Sequence, residues 1–361
     1  MKPLDGLGLA AVAAAATFGV VLMSPGNMES RTIQLDYALP PSVVVDYEFG
    51  EGGFRALTEV MEEAFGSHAA PKLPDEADAE GLGIAAGQLA TGREQFRVKC
   101  MHCHGTNGGG DGPTAQFLNP RPRNFRLGKI KFTSTAQASP PTRSDILFTL
   151  KRGLAGSSMP SFVTETDEHL QALVGYVQYL MIRGEVASLT AYELDDNGEV
   201  EEFNDQEISY EELKEAAADY LAEQVEFVAG KWADASDSIV IPSVPRGPLD
   251  LASAERGREL FLSATTECSA CHGDTGRGKG ANVYDAESDT YKRQDDWGND
   301  AIPADLTRGL YRGGDRPLDL FRRMHSGIKG SIMPGFAGNL SEGQMWDVVN
   351  YVYSLRYDIT E

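Results

Sequence analysis

Apolar residues along the 361-residue chain fall into one continuous run and several periodic ones. The continuous run, Leu7 to Met23, holds 17 residues without a charge and follows Lys2. As a helix at about 1.5 Å per residue it reaches roughly 25 Å, slightly less than the hydrocarbon core of a bilayer. It predicts either a retained anchor or a cleaved signal peptide. Cleavage at the small residues Ala14-Ala15-Ala16 would leave Phe18 to Met23 as an apolar stub, and no clear site follows Met23, so the anchor is preferred. The periodic runs repeat at helical spacing. Leu57, Val60, Met61 and Ala64 mark a helix over about 54–65, within an acidic, proline-bearing stretch that reads as a stalk or an extension packed on the first domain. Leu213, Ala217, Tyr220, Leu221 and Val228 mark another, opened by the capping-box pattern Ser209-x-x-Glu212. Two more, over about 168–183 and 342–356, each close a longer unit.

Those longer units repeat. Gly92-Arg93-Glu94 precedes Cys100-Met101-His102-Cys103-His104, and Gly257-Arg258-Glu259 precedes Cys268-Ser269-Ala270-Cys271-His272. Glycine-rich loops follow, Gly108 to Gly112 and Gly276 to Gly280. Then come two loops of one pattern, Gly153-Leu154-Ala155-Gly156-Ser157-Ser158-Met159-Pro160 and Gly327-Ile328-Lys329-Gly330-Ser331-Ile332-Met333-Pro334. The copies are offset by 168 residues at the cysteines and by 174 at the methionines, a drift that loop insertions account for.

Charge separates the units from the segment between them. The chain has 54 acidic and 32 basic residues, a formal charge of -22. Residues 185–237 hold 17 acidic and 2 basic residues, whereas 85–184 carry 12 basic and 6 acidic. Such an acidic chain excludes nucleic acid as a partner, because phosphate contacts need clustered Lys and Arg. The insert reads as a solvated helix packed by its apolar stripe, with a docking surface for a basic partner as the alternative. The stretch from Ile239 to Pro248, with three prolines, reads as an extended linker.

All four cysteines lie in the two Cys-x-x-Cys-His motifs. That motif attaches c-type haem: two thiols add to the vinyl groups, and the next residue places an imidazole under the iron. Cys100, Cys103 and His104 are therefore the candidates for one haem, and Cys268, Cys271 and His272 for the other. A four-cysteine zinc site, disulfides and thioredoxin-like pairs are alternatives. None explains a His after both pairs or the recurring Met. Met159 and Met333 are the candidate sixth ligands, since a thioether closes the iron and raises its potential for electron transfer. Met101, Met181, Met324 and Met345 lack a paired context and read as packing or surface residues. His325 is the rival ligand near Met333, although Lys151 stands at its place in the first copy. His68 and His169 are isolated. The run Arg121, Arg123, Arg126, Lys129 and Lys131 has three candidate partners: haem propionates, an acidic partner protein, or the chain's own acidic insert.

With these motifs in this order, each half resembles a class I cytochrome c domain, over about 210 of the 361 residues. The resemblance implies an all-α fold, with terminal helices crossing and two haem c groups wedged among helices. Gly92 would lie on the first helix of its domain, and Tyr176 and Tyr351 would pack against the haem or that first helix. The expected organisation is a signal-anchor helix (1–24), an acidic extension (25–84), cytochrome c domain one (85–184), an acidic insert and linker (185–247) and cytochrome c domain two (248–361). The implied function is electron transfer as a carrier or subunit of a bacterial respiratory complex, without catalysis of its own. Its partners would be a quinol-oxidising complex and a cytochrome oxidase or a small copper or cytochrome carrier. The haem domains would face the periplasm from an anchor in the inner membrane, or be soluble there after cleavage. A dihaem enzyme, peroxidase-like or thiosulfate-oxidising, is the alternative. The same Met-Pro motif in both copies speaks against a divided peroxidase, and no spare Cys exists for thiosulfate chemistry. A redox sensor, in which Met333 yields to His325, is a third reading.

Overall fold

The computed structural model describes residues 49–356. The run Leu7 to Met23, and the anchor expected there, lies outside these residues. Among the described residues no helix is long and apolar enough to cross a membrane.

The helix expected over 54–65 begins earlier, as α1 (Gly50–Phe65), and buries Leu57, Val60 and Met61. In the first repeat, α2 (Gln88–Lys99) leads through Cys100 into the short α3 (Met101–His104). A long loop runs to α4 (Arg143–Arg152), capped by Thr142 with Asp145 in a capping box. The closing helix α5 (Asp167–Asp196) starts where the Thr166 hydroxyl accepts from the amide of His169. It does not stop near Arg183 as the periodicity predicts but continues into the acidic segment, because its buried face continues through Val186, Ala187, Thr190, Ala191 and Leu194. Gly184, in its middle, is needed there: a Cβ would stand 2.1 Å from the carbonyl oxygen of Arg126.

The insert adds α6 (Glu199–Asn204) and α7 (Tyr210–Ala233). The Ser209–Glu212 capping box forms, and Leu213, Ala217, Leu221 and Val228 are buried as expected, with Val225 among them. Tyr220 is only half-buried, and its hydroxyl donates to Glu199 at 2.5 Å. The apolar stripe of α7 packs on α5 and α1, which joins extension, first repeat and insert in one bundle. The second repeat comprises α8 (Leu251–Leu262), α9 (Cys268–His272), α10 (Pro317–Ser326) and α11 (Glu342–Ser354). The chain is thus mostly helical, but the all-α expectation missed two small antiparallel pairs. These are β1 (Gly66–Ser67) with β2 (Ala70–Pro71) and β3 (Tyr284–Asp285) with β4 (Thr290–Tyr291).

The repeat is visible where first and last helices cross. A Cβ on Gly92 of α2 would lie 2.1 Å from the carbonyl oxygen of Ala172 and 2.7 Å from Cβ of Tyr176. A Cβ on Gly257 of α8 would lie 2.0 Å from the oxygen of Asp347 and 2.8 Å from Cβ of Tyr351. Glycine here lets two helices meet backbone to backbone. Each tyrosine also packs on a phenylalanine of the first helix, Phe96–Tyr176 at 5.3 Å and Phe261–Tyr351 at 5.2 Å between ring centres. The tyrosines therefore meet the first helix, one of the two alternatives that the sequence left open.

Both repeats lie within one unit, 37–361, and meet along a polar seam. Lys131 pairs with Asp295 at 2.7 Å, Lys129 pairs with Asp296, and Arg152 reaches Asp315 at 3.1 Å. The Trp297 indole N–H donates to the carbonyl oxygen of Asn124 at 3.0 Å. The segment Ile239 to Pro248 is extended, and Ile239 bridges to Thr135 of the first repeat.

Candidate haem sites

Each Cys-x-x-Cys-His sits on a short helix whose end is shaped by glycine. The His104 carbonyl accepts from the Gly110 amide at 2.9 Å and the Cys103 carbonyl from Gly112 at 3.1 Å. In the second repeat, His272 accepts from Gly278 at 2.7 Å and Cys271 from Gly280 at 3.0 Å. A Cβ on Gly112 would come within 2.5 Å of the carbonyl oxygens of Met101 and His102, and one on Gly280 within 2.3 Å of that of Ala270. The glycine-rich loops thus fold tightly back over the attachment helices.

Both proximal imidazoles are oriented by a backbone carbonyl. His104 Nδ1 is 3.0 Å from the oxygen of Arg123, and His272 Nδ1 is 3.3 Å from that of Ala304. A carbonyl only accepts, so Nδ1 carries the proton and Nε2 keeps its lone pair for a metal. Burial supports the neutral ring: it pushes His104 down to about 4 and His272 in the same direction. Burial also holds the Cys100 thiol up at about 12, and raises Cys268 and Cys271. These apolar surroundings suit the edge of a porphyrin.

The two carbonyls come from a feature that the sequence reading passed over. Pro122-Arg123-Asn124-Phe125-Arg126-Leu127-Gly128 and Pro303-Ala304-Asp305-Leu306-Thr307-Arg308-Gly309 are matching turns. In each, the Asn or Asp side chain accepts from the amide two residues on, and the glycine adopts a left-handed conformation. Phe125 and Leu306 donate their amides to Gly108 and Gly276, which ties the turn to the glycine-rich loop. The recurring spacing Pro-x-(Asn/Asp)-apolar-x-x-Gly was the available signal.

The methionine loops share several hydrogen bonds at matching places. The Leu154 amide donates to Met159, and Ile328 to Met333, both at 3.1 Å. Phe162 donates to Leu150 and Phe336 to Met324, both at 2.8 Å. Gly153 and Gly327 have φ of 66° and 70°, and a Cβ on either would lie 2.6 Å from the methionine carbonyl oxygen. Such positive φ with so close a carbonyl demands glycine.

Cys100, Cys103, His104 and Met159 all line one cavity of about 260 Å³, with Phe96, Phe125 and Val177 among its apolar walls. Two thiols, a neutral imidazole and a thioether converge there, a donor set that fits an iron porphyrin held by thioethers. In the second repeat Cys268 and Met333 pack against the same buried core as Phe261, Phe336 and Tyr351. Among the described residues no group of three or more His, Cys, Asp or Glu is gathered for a metal ion. The two Cys pairs therefore do not form a four-cysteine zinc site.

The other candidates fall elsewhere. His325 stacks on Phe321 and its Nδ1 lies 3.1 Å from the Ser326 hydroxyl. His68, isolated in sequence, receives a bond from Arg183 on Nε2 at 3.2 Å, and its carbonyl accepts from Arg93. His169 lies 3.4 Å from Glu165 at the start of α5. Met181, Met324 and Met345 are buried packing residues and Met101 is half-buried. The basic run turns toward the second repeat rather than the acidic insert: Lys129 and Lys131 pair with Asp296 and Asp295, and the Arg123 guanidinium lies 3.6 Å from the Trp297 ring centre.

The cytochrome c family model matches the chain twice, over residues 89–181 and 254–356. A solved structure, the reducing HAO-like protein complex Kustc0457/Kustc0458 of Kuenenia stuttgartiensis, contains a chain 27% identical to this one, with a TM-score of 0.51. The match covers 74% of this chain and 96% of that chain. No curated protein matches it. The two matched domains carry two covalently bound haem c groups with iron.

Proposed function

The chain belongs to the cytochrome c family, and from that premise we propose that it is an electron-transfer subunit rather than a catalyst, each haem held by His and Met. Haem supplies the reversible one-electron change of its iron. Cys100 and Cys103, with Cys268 and Cys271, fix the two groups covalently. His104 and His272, each held in the Nδ1–H tautomer by its turn carbonyl, would supply imidazole ligands to the two irons. Met159 and Met333 would supply the thioether ligands. The observation that carries this reading is that both Met loops close with the same bonds, the methionine carbonyl accepting from Leu154 or Ile328 and the Met amide donating to Ser157 or Ser331. Two sites built alike leave neither iron reserved for a substrate, as a peroxidase would need.

The Kuenenia neighbour belongs to a complex, which supports a place for this subunit beside a partner chain of a haem oxidoreductase. Its electron partners would be a quinol-oxidising complex, a terminal oxidase or reductase, or a small copper or cytochrome carrier. We place the haem domains in the periplasm, with the segment Leu7 to Met23 as inner-membrane anchor. The same neighbour favours a second reading, in which one haem takes part in catalysis within such a complex.

Potentiometric titration with visible and near-infrared spectra separates the two. Two low-spin haems at positive potential, each with a Met-to-iron charge-transfer band, are expected. One high-spin or low-potential haem would overturn the carrier reading in favour of the enzymatic one.

A further inference from the structure

The first cavity contains more positive charge than its own domain provides. Arg121 and Arg123 line it, Lys131 joins them, and Arg312 enters from the second domain. Lys131 has a carboxylate, Asp295, at 2.7 Å. The guanidinium groups of Arg123 and Arg312 make no hydrogen bond or ion pair with any described residue, although Arg123 stacks on Trp297. Both are half-buried, and this partial desolvation brings Arg123 down to about 10 and lowers Arg312. A desolvated guanidinium without a hydrogen-bonded anion is costly to keep. Its presence twice in one cavity points to an anion that belongs there.

The backbone that delivers Arg312 is built for close approach. Gly313 has φ of +78°, and a Cβ on it would lie 2.2 Å from the Phe132 ring, which itself lines the cavity. Trp297 holds the seam from the same side, with its N–H on the Asn124 carbonyl and its ring under Arg123. Both contacts adjoin the turn that orients His104.

We infer that the second domain completes the haem site of the first, with Arg312 reaching across the seam beside Arg123 to receive the propionate carboxylates of that haem. The inference rests on the proposal that Cys100, Cys103 and His104 hold haem in this cavity. Guanidinium forks match carboxylates, and a partly buried pair is screened less than an exposed one. A positive charge there also disfavours the more positive, oxidised iron. The docked second domain therefore raises the potential of the first haem.

The test is potentiometric titration of the intact dihaem protein carrying Arg312→Gln, Arg312→Lys or, as a remote control with the same charge change, Arg55→Gln. Arg55 is an exposed residue of α1. The first haem's wave is identified as the one displaced by Met159→Ala. Arg312→Gln is expected to lower the reduction equilibrium of that wave about tenfold, about 59 mV for one electron. Arg312→Lys should lose less than half of that, and Arg55→Gln should move neither wave. Visible spectra establish that each variant retains both haems. If Arg312→Gln behaves like Arg55→Gln, moves both waves equally, or moves only the other wave, the inference is wrong. Failure of Met159→Ala to displace either wave would sink the ligand assignment instead, and the first haem's wave would then be identified as the one lost in Cys100→Ala/Cys103→Ala, with Arg312 judged by whether it moves that wave alone.

Discussion

The loops carrying Met159 and Met333 share one backbone and have opposite surroundings. Ala155, Gly156, Ser158 and Pro160 are exposed, and a Cβ on Gly156 would meet nothing within 4 Å. At the matching places in the second domain, Lys329 is 8% exposed and donates to the Thr135 hydroxyl and the Ser139 carbonyl of the first domain. Gly330 lies under Trp297, where a Cβ would stand 2.3 Å from the ring. The duplication kept the hydrogen bonds that shape the loop and gave the exterior of one copy to the seam. What the copies share concerns haem; where they differ, they dock.

The largest effect should come from the shared feature. Gly92→Leu and Gly257→Leu each push a side chain into a carbonyl that now lies about 2 Å from the Cβ position. Overpacking usually costs about 1–3 kcal/mol, and a backbone-to-backbone crossing without room to yield belongs at or above the top of that range. Each variant should unfold its own domain first in calorimetry and leave the other domain's transition in place. Joint loss of both transitions would mean that the seam, not the crossing, organises stability.

Met159→Ala and Met333→Ala come next. Each should abolish one Met-to-iron band and lower one potential, because a thioether ligand raises the potential of haem iron. If both variants changed the same haem, the equivalence of the two loops would fail.

Much of this was legible in the sequence. The Cys, His and Met positions, Gly92 and Gly257, and the insert's capping box all rest on local chemistry with a fixed spacing. The long reach of α5 was not legible, because its continuing apolar face is matched by α1 and α7, which come from distant parts of the chain. The destination of the basic run was equally hidden. The sequence left three candidate partners for it, but Lys129 and Lys131 find Asp296 and Asp295, 167 and 164 residues away in a loop of the second repeat. The turn that bonds His104 was overlooked since its repeat preserves residue class, Asn for Asp and Phe for Leu, rather than identity.

Lys329 tests the docked side of the comparison through pH. Burial lowers it from 10.5 to about 8, with Asp145 opposing that shift and Lys231 adding to it. Above about pH 8 the native side chain loses its proton, while the unfolded chain keeps it up to about 10.5. Stability should therefore rise with pH across that window, by at most about 3 kcal/mol at about 1.36 kcal/mol per unit. Below pH 8 the desolvation of the ammonium is borne in full. Urea unfolding at pH 7 and pH 10 should show this gain in the native sequence and not in Lys329→Met. Superimposable pH dependences would mean that the ammonium is well solvated at the seam.

The smallest effect sharpens the contrast between the two proximal histidines. Phe125 lies parallel to His104, 4.7 Å between ring centres at 16°, whereas Leu306 fills the same place in the second domain. The Nδ1 bond is correspondingly shorter in the first domain, 3.0 Å against 3.3 Å. An aromatic pair contributes about 0.5–1.5 kcal/mol beyond the area it buries. Phe125→Leu gives the first domain the second domain's residue and should destabilise it by about 1–2 kcal/mol. It should also move the low-spin electron paramagnetic resonance signal of the first haem toward that of the second, since the imidazole plane loses the ring that fixes it. A signal left in place would show that the Arg123 carbonyl alone orients His104, and that the stacked ring serves packing only.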